Sequence, residues 1–381
     1  MRTGDTRNRN GIGGVCRLAL LVCLTALLPM LGLAAESKEK QAPAVRIVAE
    51  PQHAMLAPGG AIDLQLRVLD KAGQPVAGEL TARPADPGQK ATAVSVTFDK
   101  SGCGSYRFAA PPGMEPGIHA IQFRHAPSGA VQNFYVDVAD QATCTAFEKA
   151  AQQVKFSAMP AHLLFIGDSL TDLYRGQNYV DKVGFWLGKL HGNKATVKNA
   201  GVGGDTIVRV WQRLNKEPNT YRLAAYDDLY SPKPTHVFFF LGHNDSKLTS
   251  TSGYKDAVVA PAQFGELYGS ALRKVQSETN ARLVVLSATS SVYEITAATA
   301  ARARASGKAH NFFGKPEALE QFNAIAKKAA AECQAEYLDV YEPTRRHPDK
   351  PSLFTKDGVH VSNLGNRLLA LEILKYLGGK K

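Results

Sequence analysis

Four short polar stretches in the second half of the chain carry residue types that can do chemistry. They are Gly167-Asp168-Ser169-Leu170-Thr171, Asn199-Ala200-Gly201-Val202-Gly203-Gly204-Asp205-Thr206, Gly242-His243-Asn244-Asp245 and Asp357-Gly358-Val359-His360. Together they offer a hydroxyl, glycine-rich backbone donors, an amide side chain and an Asp-x-x-His pair, the parts of a hydrolytic acyl-transfer site. A serine hydroxyl is a weak nucleophile until a base takes its proton. His360 is the candidate base for Ser169. Asp357 precedes it by three residues in a glycine-containing turn, where its carboxylate can face the other ring nitrogen, fix the tautomer and stabilise the imidazolium. Attack on a carbonyl builds an oxyanion, which needs donors already placed about 3 Å away. The candidates are the Ser169 N–H, expected near a helix start, the Gly204 N–H and the Asn244 amide.

Each signal has a plainer reading. Ser169 alone could cap a helix. The glycines 201–204 could cradle a phosphate, but they lack both Gly-x-Gly-x-x-Gly and the Lys-Ser/Thr of a P-loop. Asp205 and Asp245 read as cap and turn residues. His243 reads as a loop side chain near the site with no proton to move. His53, His119, His125, His191 and His347 read as surface residues. No cluster of His, Cys, Asp and Glu has metal-ligand spacing, so neither metal nor cofactor is expected. No paired carboxylates suggest a glycosidase, and the scattered Lys and Arg lack the aromatic interleaving of a nucleic-acid groove.

These motifs need elements that bring them together. His162–Ile166, Ala195–Lys198, His236–Leu241, Leu283–Leu286 and Tyr337–Tyr341 read as strands, and the third is apolar on both faces, as a buried parallel strand is. Between them run helical patterns: Val180 to Leu190, Asp205 to Leu214, one opened by Pro261, one opened by Pro316, and a last one capped by Ser362. Strands alternating with helices imply an α/β fold with a five-stranded parallel sheet, whose sites lie at the carboxyl ends of its strands. Ser290–Lys315 reads as a loop-like insertion with Arg302, Arg304, Lys308, Tyr293, His310, Phe312 and Phe313. It either walls the pocket or makes a surface excursion. Tyr174 and Trp211 are further pocket candidates, with core packing the stronger reading for Trp211.

The first part of the chain has another rhythm. Ile62, Leu64, Leu66 and Val68 alternate with polar residues, as do Val94, Val96 and Phe98, then Tyr106 and Phe108, then Phe134, Val136 and Val138. Period two with turn signals between the runs, Asp86-Pro87-Gly88 among them, implies six or seven antiparallel strands in an immunoglobulin-like sandwich. Before it, four arginines lead into the uncharged run Leu18–Ala35, which contains Pro29 and ends in small residues. That is the pattern of a cleaved signal peptide, so the protein is expected to be exported to a periplasm or the extracellular space. The expected organisation is signal peptide 1–35, linker 36–42, sandwich 43–140, connector 141–160 and α/β domain 161–381. No later stretch is long and apolar enough for a membrane span.

Composition sets the outer bounds. With 44% hydrophobic and 21% charged residues, the 381-residue chain is expected to fold over most of its length. Residues 1–35 account for +3 of the formal charge of +11. The remaining +8 favours acidic surroundings or substrates without indicating nucleic acid. Signal cleavage removes Cys16 and Cys23 and leaves Cys103, Cys144 and Cys333, of which Cys103 with Cys144 is the expected bridge. Cys333 is expected to pack as a small hydrophobe.

The order Ser169, Gly204, Asn244, His360 resembles the SGNH hydrolases, also called GDSL esterases. The residues around Ser169 match that family's first block, Gly242-x-Asn244-Asp245 its third and Asp357-x-x-His360 its fifth. The resemblance covers residues 161–381 and implies a flavodoxin-like sheet and ester hydrolysis without a cofactor. It further implies Ser169 as nucleophile, His360 as base and acid, Asp357 as orienter, and Ser169, Gly204 and Asn244 as the oxyanion hole. A signal peptide and a sandwich ahead of such a domain resemble secreted carbohydrate acetyl esterases. The expected substrate is then an acylated glycan. A lipase, aryl esterase or thioesterase, or a glycan-binding protein without catalysis, are the alternatives.

Overall fold

The computed structural model describes residues 45–379, except 77, 86–93, 100 and 173. The expected signal peptide, the linker and the Asp86-Pro87-Gly88 turn lie outside the described residues.

Eight strands come first: β1 (Val45–Glu50), β2 (His53–Leu56), β3 (Ala61–Asp70), β4 (Glu79–Pro84), β5 (Val94–Thr97), β6 (Cys103–Ala109), β7 (Gly117–His125) and β8 (Val131–Val138). They form a three-stranded sheet ordered β1-β3-β6 and a five-stranded sheet ordered β2-β8-β7-β4-β5. The alternation in β3 turns Leu64, Leu66 and Val68 inward, against Leu80, Phe123, Phe134 and Val136 of the other sheet. The ring of Tyr106 meets Phe123 edge-on at 5.4 Å. The count exceeds the six or seven expected. Four-residue β2 shows no alternation of its own, and it is held by parallel pairing to β8.

The second part begins with α1 (Gln141–Gln152), capped by Asp140, whose side chain accepts from the Thr143 N–H at 2.8 Å. Then follow β9 (Ala161–Gly167), α2 (Tyr179–His191), β10 (Ala195–Asn199), α3 (Ile207–Leu214), β11 (His236–Phe240), α4 (His243–Ser246), α5 (Pro261–Thr279) and β12 (Arg282–Leu286). The chain ends with α6 (Tyr293–Ala305), α7 (Pro316–Glu332), β13 (Glu336–Leu338), α8 (Tyr341–Arg345) and α9 (Asn363–Leu377). The α/β expectation holds: the five strands are all parallel, ordered β10-β9-β11-β12-β13. Because β11 is buried along its whole length, its residues feed two cores. Phe238 and Phe240 join Leu163 and Phe165 on the face covered by α1, α2 and α9. Val237 and Phe239 join Leu164 and Ile166 on the face covered by α3, α5 and α7. Phe165 stacks on Phe238 at 4.6 Å.

Three expectations are corrected here. Half of the insertion 290–315 is the helix α6 rather than loop. Its alanine-rich sequence supports a helix without a clear apolar stripe. The fifth strand stops at Leu338, and Tyr341 opens α8. Cys103 and Cys144 are free thiols, as is Cys333. Cys103 opens β6 in the three-stranded sheet, whereas Cys144 lies in α1 within the core beneath the parallel sheet. Burial pushes the Cys144 thiol up to about 11. Cys333 packs against the core beside α5, where its Sγ faces the Gly269 carbonyl at 3.5 Å.

The sandwich is pinned to the α/β part by buried polar contacts. Asp137 of β8 is 3% exposed. It accepts from Asn363 Nδ2 at 2.8 Å and Arg367 Nε at 3.0 Å, and lies 3.1 Å from Lys182 Nζ. Burial raises its pKa, but Arg367 and Lys182 outweigh burial and hold the carboxylate below its usual range. Trp186 Nε1 donates to Met55 Sδ at 3.3 Å, and His53 lies 3.0 Å from Asp181.

Candidate active site

Strand β9 lies between β10 and β11, so the chain leaves it on one side for β10 and returns on the other. An open parallel sheet forms a crevice at such a switch point, outside the strand carboxyl ends. Ser169 lies two residues past β9, in a turn closed by the Thr171 N–H donating to Asp168 O at 3.1 Å. The serine therefore stands in a turn rather than at the helix start expected for it, since α2 begins only at Tyr179. Gly167 permits this geometry, because a Cβ there would fall 2.2 Å from Thr171 Oγ1.

His360 comes from the loop before α9. Its Nε2 is 2.8 Å from Ser169 Oγ, and its Nδ1 is 2.6 Å from Asp357 Oδ2. The other carboxylate oxygen, Oδ1, accepts from the N–H groups of Val359 and His360, each at 2.9 Å. Burial raises the Asp357 pKa, yet the His360 ring and these backbone donors bring it down to about 2. Gly358 has φ +75°, and its carbonyl accepts from the Val292 N–H at 2.8 Å, so the turn is tied to the segment leading into α6. Ser169, His360 and Asp357 thus form one hydrogen-bonded chain that can pass a proton from the hydroxyl to the ring.

Among the glycines, Gly201 donates to Asn199 Oδ1 at 2.9 Å and Gly203 to Asp172 Oδ2 at 3.0 Å. Those N–H groups are occupied within the loop. Gly204 lines the cavity beside Ser169 with φ +82°, a conformation glycine adopts at little cost. Asn244 lines the same cavity from α4. Its Oδ1 accepts from Lys247 Nζ at 3.3 Å, which turns Nδ2 towards Asp168 Oδ2 at 3.4 Å and leaves its second hydrogen for another acceptor.

A layer of buried polar residues supports these groups. Burial pushes Asp168 up to about 7, and the same cause takes Asp245 to about 7. Asp245 Oδ1 accepts from the Ile207 N–H at 2.8 Å, so this residue caps α3 from a different element. Asp205 is no cap: it is a buried ion-pair partner of Arg213, with Nη2 at 2.6 Å. The sequence conceals this because the pairing needs α3, which carries Arg213, to be folded. His243 donates to or accepts from Thr289 Oγ1 at 2.9 Å, and burial lowers its pKa to about 4. His125 is 1% exposed rather than superficial, and its Nδ1 lies 2.7 Å from Ser128 Oγ.

The cavity over Ser169 measures about 420 Å³ and includes Gly204, Asn244, Asp357 and His360. Thr296, Thr299, His310 and Phe313 close one side, so the 290–315 segment walls the site. That segment is tied to the loop after α4 by the Leu248–Phe312 bridge, at 2.8 Å in both directions. Tyr174 is not in this cavity; it is 65% exposed beside Arg222. Trp211 packs against the core. Lys247 and Arg175 also line the cavity, and no local sequence pattern marks them. A larger cavity of about 930 Å³, between β2, α2 and β10, contains none of the site residues. Among the described residues no group of three or more His, Cys, Asp or Glu could hold a metal ion, and no helix is long and apolar enough to cross a membrane.

Residues 165–368 match the model of the GDSL-like lipase/acylhydrolase family. A lipase/acylhydrolase from Enterococcus faecalis is a similar solved structure, at 21% identity and TM-score 0.43, covering 58% of this chain and 96% of its own. A GDSL-like lipase from Parabacteroides merdae gives 17% identity and TM-score 0.43, covering 58% and 97%. An acetyl xylan esterase variant from Geobacillus stearothermophilus gives 21% identity and TM-score 0.38, covering 59% and 97%. Comparison with curated proteins gives no match.

Proposed function

The chain belongs to the GDSL-like lipase/acylhydrolase family, and from that premise we propose an exported serine esterase that removes O-acyl groups, O-acetyl first, from polysaccharides. The observation that carries the mechanism is the chain of contacts from Ser169 Oγ to His360 Nε2 at 2.8 Å and from His360 Nδ1 to Asp357 at 2.6 Å. Ser169 Oγ attacks the ester carbonyl as its proton passes to His360 Nε2. The carbonyl π electrons move onto oxygen, and the N–H groups of Ser169 and Gly204 and the Asn244 amide donate hydrogen bonds to the resulting oxyanion. Collapse breaks the bond to the alcohol, which takes the proton from His360. Water then attacks the acyl-enzyme, gives its proton to His360 and releases the acid, and the proton returns to Ser169. Asp357, held ionised, stabilises the imidazolium in both halves. His243 stays neutral at physiological pH and moves no proton. The signal-like amino terminus supports export.

A second reading has one observation in its favour. A cavity of about 420 Å³ has room for more than an acetyl group, which suits a lipase, aryl esterase or thioesterase of the same fold. The test is labelling with a fluorophosphonate, with acetate release from acetylated xylan and pectin measured beside hydrolysis of nitrophenyl esters. Ser169 is expected to carry the adduct, and Ser169→Ala to lose about 10⁴-fold or more in kcat. An adduct elsewhere overturns the mechanism. Preference for C8 and longer acids overturns the first choice of substrate.

A further inference from the structure

The cavity over Ser169 is one of three neighbouring cavities that share lining residues. A second, of about 220 Å³, opens on the other side of Ser169 and His360, and Ile118 of sandwich strand β7 forms part of its wall. A third, of about 620 Å³, continues from it past Arg175, Gly176 and Gln177 onto the surface of β1 and β8. The catalytic serine therefore opens into a groove partly built by the sandwich.

Three properties of that groove select its occupant. The first is hydrogen-bonding capacity: the amide residues Gln177, Asn178, Asn363 and Asn366 line the second cavity. Sugar hydroxyls, which both donate and accept, pair with amides of that kind. The second is an aromatic face. Tyr174 lines the third cavity with its ring 65% exposed, and Arg222 lies against it at 4.5 Å. The third is charge. No carboxylate lines the second or third cavity, whereas Arg175 lines all three and Arg46 lines the outer one. Neither guanidinium has an ion pair or hydrogen bond to a described residue.

We propose that the groove joining Ser169 to the sandwich binds the alcohol part of the ester as an anionic sugar chain, a uronate-bearing glycan. This rests on the esterase reading above and adds the class of alcohol. Hydroxyls pair with the amides of Gln177 and Asn363, one pyranose ring lies on Tyr174, and the uronate carboxylates face Arg175 and Arg46.

Ser169→Ala, which holds substrate without turnover, provides the test. Tetragalacturonate and xylotetraose are titrated into it calorimetrically at low and high salt. Tetragalacturonate is expected to bind about tenfold tighter or better, the advantage shrinking as salt rises. Adding Arg46→Gln and Arg175→Gln, both at exposed positions, is expected to abolish it. Equal affinity for the two oligomers, no binding of either, or a preference indifferent to both arginines overturns the proposal. Wild-type hydrolysis of nitrophenyl acetate is measured in parallel. Hydrolysis without uronate binding removes this proposal alone, and uronate binding without hydrolysis removes the esterase reading alone.

Discussion

The sandwich and the parallel sheet use the same kinds of apolar residue to different ends. In the sandwich one face of most strands is wet, so polar residues alternate along them, and most of their polar groups meet solvent. In the parallel sheet β9, β11 and β12 are buried on both faces apart from His162 and Arg282, and polar residues collect where the strands end. Asp168, His243, Asn244 and Asp245 are all at most 5% exposed there. Groups desolvated in that way have shifted pKa values and fixed orientations, the conditions catalysis needs. The comparison also has a boundary case. Asp137 belongs to a sandwich strand but is buried like a strand-end residue, because α2 and α9 cover it.

That boundary case gives the largest expected effect on stability. Asp137→Asn leaves Lys182 and Arg367 buried without their counter-charge and is expected to cost about 3–5 kcal/mol in urea unfolding. A single transition at lower urea means that the two regions unfold together. Two separated transitions would show that the sandwich and the parallel-sheet part are independent domains. Next comes Asn244→Ala, which sharpens the contrast from the catalytic side. It is expected to lower kcat by about 10²–10³-fold and to leave the urea midpoint nearly unchanged. Loss of stability in step with activity would make Asn244 a packing residue. The smallest effect is on pH dependence. Asp245 has its pKa raised by burial from 3.8 to about 7, so the folded state holds a proton that the unfolded state has lost. Its contribution is present below about pH 4 and lost as pH rises towards 7. Asp245→Asn is expected to gain stability relative to wild type over that window and to show a constant difference above it. A difference independent of pH from 4 to 8 would mean that Asp245 is ionised when folded.

Much of the architecture was legible because burial writes a period into the chain. Val-Phe-Phe-Phe-Leu reads as a strand covered on both sides, and Ile62 to Val68 as one with a wet face. The Asp357-x-x-His360 pair was legible because its geometry is local: three residues and a glycine suffice to bring carboxylate and ring together. Helix α6 was not, since a run of alanines and arginines carries no strong stripe. Asp205 was misread for a related reason. Its partner Arg213 lies eight residues on, in the last turn of α3, and only the folded helix brings the two together.

The sequence by itself determined which residue types stand at the strand ends and in what order, because hydrophobic period and turn chemistry are local properties of the chain. Only the tertiary structure decided that Ser169 and His360, 191 residues apart, share a hydrogen bond, which of the loop glycines keeps its N–H open, and that the sandwich forms part of the wall of the site. Those are relations between distant segments, fixed by strand order and by the packing of helices across the sheet, and no local pattern encodes them.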